Sequence, residues 1–446
     1  MSTFFGTDGI RGPVFQGLLT PASLMQLGLS LGHALKTRHG QVVVGMDTRV
    51  SGPLVKSALA SGLMAAGMHV IDVGVVSTPC VAFLAQKLDV DCAVMISASH
   101  NSYQDNGIKV FGAGGSKLDP AQEKAIEALF HGPLAFCLPN QVGQMTMRPD
   151  AVQLYTQHLL SLYCGLNLSG LTIALDCAHG SLSAHGADVL KALGARVHLM
   201  GHEPDGVNIN AGVGATHPEA LQQFMKTHQV NMGFAFDGDG DRVMTFLSEG
   251  TLLDGDQMLA ILVQAWQQEV KLDPACVVST VMANHQLKAF LHEKGVALHQ
   301  SAVGDKYVVQ AMEETGALIG GESSGHMILR PLAATGDGLL TALELLRIHT
   351  QVKTLAQAFT PCPQILHNVR VTHKQVLNMP EWSDFYQAQM VSYDAHLSCL
   401  IRASGTEELV RIMLQGKDVD LLHRVAHVFA GKIKELDNQT EKKVYK

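Results

Sequence analysis

One pattern recurs three times along this chain: an apolar strand, a short polar loop, then a helix. In the first pass, QVVVGM (41–46) runs into Asp47, Thr48, Arg49 and Ser51, and an Ala/Leu/Met-rich helix near 53–67 leads to the strand HVIDVG. In the second, LTIALD (171–176) runs into the loop 177–181, and a later strand, VNMGFAF, ends at Asp237. In the third, a helix near 256–270 precedes the strand CVVSTV, and a helix follows near 284–294. Alternation of this kind demands layers of helix against sheet. It predicts three related α/β units with mixed sheets, over 1–150, 151–251 and 252–362. The stretch TPCPQILH (360–367) is punctuated by prolines and reads as a linker. Beyond it, NVRVTH, SCLIRAS, ELVRIML and a helix near 419–436 predict a fourth, α+β unit over 363–446. The polar tail DNQTEKKVYK is expected to fray.

Composition narrows the function classes. Of 446 residues, 47% are hydrophobic and 16% charged, so interior outweighs surface. An average globular chain carries about 25% charged residues. Disordered and nucleic-acid-binding classes are excluded on that ground. The net charge is −8, and no long basic run exists. Any anionic ligand must be held by local arginines and backbone amides. Eight cysteines are scattered with no CxxC pair, which reads as reduced thiols. The start MSTFFGTDGIRG is not a signal peptide, and no run of about 18 uncharged apolar residues suggests a membrane span. A cytoplasmic protein with neither membrane nor nucleic-acid partner is expected.

The stretch DCAVMISASHNSYQDNGIKV (91–110) organises the chemistry. A buried strand ends at Ile96, and Ser97, Ser99, His100, Asn101 and Ser102 follow at once. Strand ends are where α/β proteins place their sites. Ser99 is the candidate nucleophile or phosphate carrier, with His100 and Lys109 as candidates for proton transfer or phosphate contact.

FDGDGDR (236–242) places Asp237, Asp239 and Asp241 at alternate positions, with Arg242 beside them. Glycines between the carboxylates permit a tight turn. Three such carboxylates suit a small hard cation, and octahedral magnesium leaves places for phosphate oxygens. An EF-hand is excluded, because its sixth and twelfth positions here are Arg242 and Ser248. A phosphatase with an aspartyl nucleophile and a plain solvated turn stay open, though the phosphatase would leave the serine loop without a task.

GGESSGH (320–326) carries Glu322 and Ser324 at alternate positions, a carboxylate and a hydroxyl suited to adjacent sugar hydroxyls. In RASGTEELVR (402–411), Arg402 and Arg411 flank Ser404, Gly405 and Thr406. Guanidinium forks, hydroxyls and backbone N–H groups together make a phosphate cradle.

These four stretches, in this order and spacing, resemble the α-D-phosphohexomutase superfamily, and within it the bacterial phosphoglucosamine mutase branch. The likeness also rests on FFGTDGIRG, VGMDTRVSG, PDGVNIN with GATHPEAL, and ESSGHMIL leading to ATGDGLLTALELL. His179, Val213, Lys306 and Glu408 depart from residues frequent in the family. The resemblance implies three related α/β domains and a fourth α+β domain around a central active-site cleft. It implies conversion of glucosamine 6-phosphate to glucosamine 1-phosphate, toward UDP-N-acetylglucosamine. Phosphorylated Ser99 would be the donor, with one Mg²⁺ per chain on Ser99, Asp237, Asp239 and Asp241. A glucosamine 1,6-bisphosphate would be intermediate and activator. The sugar must turn end for end, so Glu322 and Ser324 would clamp its middle. Arg242, Arg402, Ser404, Gly405, Thr406 and Arg411 would anchor substrate phosphate. Lys109 is the expected general base, with Arg11 and His326 as helpers. A monomer or homodimer acting on a small phosphosugar is expected.

Overall fold

The computed structural model describes residues 4–37, 39–269, 272–352, 355–393, 397–403 and 408–444. It divides into two compact units. One comprises Met1–Thr280 with Val296–Gln357, the other Val281–Gly295 with Ala358–Lys446.

The first unit holds three mixed sheets. The first contains β1 (Ile10–Pro13), β2 (Gln41–Met46), β3 (His69–Val75), β4 (Cys92–Ile96), β5 (Asp105–Gly112) and β6 (Met145–Met147), in the order β1-β5-β4-β2-β3-β6. β2 runs parallel to β3 and β4, while β5 runs antiparallel to both β4 and β1. β4 is apolar and buried at every position, as a parallel-sheet strand covered on both faces should be. The helix Pro21–Leu35 begins as its sequence dictates, with Thr20 accepting from Ser23 N at 3.3 Å and proline in the first turn.

The second sheet contains β7 (Thr172–Asp176), β8 (Arg196–Met200), β9 (Met232–Phe236), β10 (Val243–Leu247) and β11 (Leu252–Leu253), in the order β11-β10-β9-β7-β8. The third contains β12 (Cys276–Thr280), β13 (Ala297–Ser301), β14 (Ile319–Gly321) and β15 (Met327–Leu329), in the order β13-β12-β14-β15. One motif repeats in all three. A buried strand parallel to its inner neighbour reverses through a polar loop into an antiparallel partner: β4 into β5, β9 into β10, β14 into β15. Those three loops carry the serine, the aspartates and the ESSGH segment.

In the second unit, β16 (Gln364–Arg370), β17 (Leu397–Ala403) and β18 (Leu409–Gly416) form an antiparallel sheet in the order β16-β18-β17. Val369, Val410, Ile412 and Leu414 of the sheet pack with Trp382, Leu422, Val425, Phe429 and Ile433. Gln415 ties the segment 281–295 to this sheet, accepting from His285 N at 2.9 Å and donating to Ala283 O at 3.2 Å.

Three expectations change here. Gln364–His367 belong to β16 rather than to a linker, because their backbone pairs with β18. The tail does not fray after residue 436; the helix spans Val419–Val444. Its polar end is held by Gln439 on Glu435 and by Thr440 Oγ1 on the Leu436 carbonyl at 2.9 Å. A helix at Pro380–Tyr393, absent from the sequence reading, covers the same core through Trp382 and Phe385. Among the described residues, no helix is long and apolar enough to cross a membrane.

Candidate active site

The serine loop is shaped by a buried arginine. Ser99 is wholly buried and holds a left-handed φ of 53°, a conformation that costs a non-glycine residue energy unless its surroundings impose it. Arg49, 1% exposed, imposes it. Its Nη2 donates to the carbonyls of Ser99 (3.0 Å) and Asn101 (2.8 Å), and its Nη1 to those of Asp105 (3.0 Å) and Ser102. Its Nε donates to Asp47 Oδ2 at 2.8 Å. Asp47 in turn accepts from Ser97 Oγ at 2.6 Å, and Ser97 Oγ accepts from Ser99 N at 2.9 Å. From the second sheet's side, Asn210 Nδ2 donates to the carbonyls of Ser99 and Asn101. Sequence reading left Arg49, Asp47 and Asn210 without a role. The DTR segment directly after a buried strand was the available signal.

The metal-motif loop meets the serine loop face to face. Ser99 Oγ donates to Asp237 Oδ2 at 2.7 Å and lies 3.2 Å from His100 Nδ1. Gly238 makes the approach possible, since a Cβ there would lie 2.7 Å from the Ser99 carbonyl oxygen. Gly240 holds φ at 72° between Asp239 and Asp241. The three aspartates are buried, and their oxygens lie within 4.8 Å of one another.

Cations surround them. Lys109 Nζ lies 2.7 Å from Asp239, 2.8 Å from Asp241 and 2.9 Å from Asp8. Arg11 pairs with Asp8, and Arg242 lies 3.8 Å from Asp241 and 4.0 Å from Asp237. Burial, then repulsion from Asp241 and Asp239, pushes Asp237 well above the usual carboxylate range. Burial would also raise Asp241, but Lys109 holds it well below that range. Burial and the nearby guanidinium groups of Arg242 and Arg11 pull His100 down to about 3, so its ring is neutral at pH 7.

Lys109, the expected general base, sits among three carboxylates. Burial alone would lower its pKa, but Asp239, Asp241 and Asp8 outweigh burial and raise it well above the ordinary lysine value.

The third loop closes on the second. Val243 N donates to Gly325 O at 3.1 Å. His326 Nδ1 lies 3.7 Å from Asp241, and its Nε2 lies 3.8 Å from Asp305. Burial would lower His326, but Asp241 and then Asp305 raise it. Glu322 is buried and accepts from Gly304 N at 3.2 Å, while Ser324 is half-buried beside it. In the second unit, Arg402 and Arg411 stand directly opposite each other across β17 and β18. Ser404, Gly405 and Thr406 lie outside the described residues.

The donor set fits a hard divalent cation. Asp239 Oδ1 and Asp241 Oδ1 are buried and accept no hydrogen bond. Unsatisfied carboxylate oxygens in a buried cluster are what such an ion needs.

The chain matches known proteins over nearly its whole length. Residues 2–133, 153–250 and 254–364 match the phosphoglucomutase/phosphomannomutase alpha/beta/alpha domains I, II and III, and residues 366–432 match the C-terminal domain. A phosphoglucosamine mutase of Gluconacetobacter diazotrophicus is 41% identical over 431 residues, covering 94% of this chain and 95% of its own. Another, of Symbiobacterium thermophilum, is 41% identical over 448 residues, covering 97% and 99%. A crystal structure of a phosphoglucomutase/phosphomannomutase family protein from Burkholderia thailandensis superposes with a TM-score of 0.79 at 25% identity, covering 97% of each chain. With four domain matches in sequence and relatives 41% identical from end to end, the chain belongs to the phosphoglucosamine mutase family.

Proposed function

We propose that this protein interconverts glucosamine 6-phosphate and glucosamine 1-phosphate, with Ser99 as the phosphoryl carrier. One observation carries the reading: a strained, wholly buried serine hydroxyl hydrogen-bonds into a triad of carboxylates that have oxygens to spare. The names of its relatives supply the sugar.

The two ester positions lie at opposite ends of the sugar, so one phosphate cannot move directly between them. Phosphorylated Ser99 gives its group to the free hydroxyl, making glucosamine 1,6-bisphosphate; the O–P bond at Ser99 breaks, and the hydroxyl's proton passes, with Lys109 as the proposed relay, to the Ser99 oxygen. The sugar turns over, and its other phosphate returns to Ser99. Asp237, Asp239 and Asp241, with a Ser99 phosphate oxygen, would hold one Mg²⁺ per chain, which supplies charge neutralisation to the group in flight. The transition state of phosphoryl transfer is loose, so positioning and charge matter more than early proton removal. Lys109, Arg11 and Arg242 provide positive charge along the path. His100 and His326 border it. Glu322 and Ser324 grip the sugar hydroxyls. Arg402 and Arg411, with Ser404, Gly405 and Thr406, take the phosphate that is not reacting.

The 1,6-bisphosphate is also the activator that charges Ser99. All eight cysteines are free thiols, which suits a reducing compartment, and we place the protein in the cytoplasm as a monomer or homodimer. The test is a panel of glucosamine, glucose and mannose 6-phosphates assayed with Mg²⁺ and catalytic bisphosphate. A rate highest on glucosamine 6-phosphate is expected. A rate highest on mannose 6-phosphate would favour the phosphomannomutase/phosphoglucomutase reading, which the domain matches also name.

A further inference from the structure

The carboxylates and lysines behind the candidate active site form a closed ring with His326. Asp241 meets Lys109 at 2.8 Å, Lys109 meets Asp8 at 2.9 Å, and Asp8 meets Lys117 at 2.5 Å. Lys117 pairs with Asp305, Asp305 lies 3.8 Å from His326, and His326 returns to Asp241 at 3.7 Å. Five of the six side chains are at most 13% exposed, and Lys117 is 18% exposed. The mechanism uses three of them. It uses neither Lys117 nor Asp305, which sequence reading also passed over.

Backbone geometry places Lys117 deliberately. After β5 the chain turns back through Gly112–Ser116, and Lys117 bridges to Phe111 in antiparallel register. Phe111 and Lys109 are two apart on β5, so they share a face, and Lys117 becomes the diagonal neighbour of Lys109. The N-terminal loop reaches the same point because Gly9, at φ 82°, sits against Ile108, where a Cβ would lie 2.4 Å from the Ile108 carbonyl oxygen. Asp305 comes from the third sheet's side, at the start of the helix Asp305–Thr315. One ammonium thus holds two carboxylates that are 297 positions apart in sequence and would otherwise repel.

Asp8 is shared between Lys117 and Lys109. Lys109 is also shared, between Asp8 and the metal-motif carboxylates Asp239 and Asp241. The more fully Lys117 neutralises Asp8, the less Asp8 draws Lys109 away from the path of the phosphoryl group. We propose that Lys117, through Asp8 and Asp305, is a positioning residue for phosphoryl transfer: it sets where the Lys109 ammonium stands between the serine loop and the aspartate triad. The proposal rests on the mutase reading above.

The experiment compares Lys117→Met, Lys117→Gln and Lys117→Arg with the wild-type enzyme on glucosamine 6-phosphate. Steady-state rates and single-turnover transfer from labelled phospho-Ser99 are both read. For Lys117→Met, kcat and the single-turnover rate should fall at least tenfold, with KM within threefold, at a temperature where circular dichroism shows the variant folded. Lys117→Arg, which keeps the charge, should recover to within threefold. If Lys117→Met does not fold, Lys117→Gln carries the test, since it removes the charge but keeps a hydrogen-bonding side chain, and should show the same drop in kcat. Wild-type kcat in Lys117→Met or in Lys117→Gln, or a Lys117→Arg enzyme as slow as Lys117→Met, overturns the proposal. A wild-type enzyme with no mutase activity would instead sink the mutase reading, and the proposal with it.

Discussion

Ser99 Oγ donates to Asp237 Oδ2 at 2.7 Å, although the two residues are 138 positions apart. The contact joins the reversal loop of one sheet to the equivalent loop of the next. It sets a serine hydroxyl buried in a left-handed backbone against a carboxylate whose pKa burial and the neighbouring aspartates push upward. A phosphoryl group on that oxygen would enter a pocket whose charges are already arranged around it.

Replacing Ser99 by alanine removes the proposed carrier hydroxyl and its hydrogen bond to Asp237. Mutase activity should fall by about a thousandfold or more, while far-UV circular dichroism and the unfolding midpoint stay near wild type. Relief of the left-handed backbone is not expected, because alanine is equally strained there. Activity within tenfold of wild type would rule out the carrier role.

Removing the divalent cation should both stop and loosen the protein. Three buried carboxylates close together repel unless a cation sits among them. Dialysis against EDTA should abolish turnover, and Mg²⁺ should restore it. At a hundredfold excess over its Kd, Mg²⁺ should add about 2.7 kcal/mol to the unfolding free energy. An Asp239→Asn enzyme should lose most of both effects. Turnover that survives exhaustive chelation would contradict the metal assignment.

Arg49 is predicted to matter for folding rather than for chemistry. Its guanidinium places all its donor groups on Asp47 and on carbonyls of the serine loop. Arg49→Met leaves a buried carboxylate uncompensated, a loss of about 3–5 kcal/mol. Arg49→Lys should recover little of it, since one ammonium cannot span that fork. Urea unfolding checks both. A loss under about 1 kcal/mol for Arg49→Met would show that the loop holds itself.

Much of this was legible before any coordinates. β2 and β7 sit where apolar runs placed them. Local signals of that kind survive because propensity and burial agree. Arg49, Asn210, Lys117 and Asp305 were not legible, because each acts only through partners distant in sequence. A lone arginine or lysine in a loop looks like surface until the groups it pairs with are brought to it. The tail misled for the opposite reason: its polar composition says exposed, and the helix there is held by side-chain contacts within its last turns.

One titration behind the site should be visible in stability. Asp337 is buried, accepts from Tyr155 Oη at 2.6 Å and caps the following helix through Leu340 N at 2.9 Å. Burial raises its pKa to about 6. The folded protein therefore holds that proton more tightly than the unfolded chain does. Its contribution is full below about pH 4, the unfolded value, and is lost as pH rises through about 6. The loss is on the order of 2–3 kcal/mol. Asp337→Asn should flatten the fall in stability between pH 4 and 7. An unchanged slope, measured by urea unfolding at several pH values, would contradict the assignment.

The central claim is that a transferable phosphoryl group rests on Ser99. Incubation with glucosamine 1,6-bisphosphate and Mg²⁺, followed by peptide mapping, tests it directly. The account predicts one phosphate per chain, located on Ser99, and its discharge when glucosamine 6-phosphate is added. Phosphate at another residue, or phosphate on Ser99 that the sugar cannot remove, would contradict it.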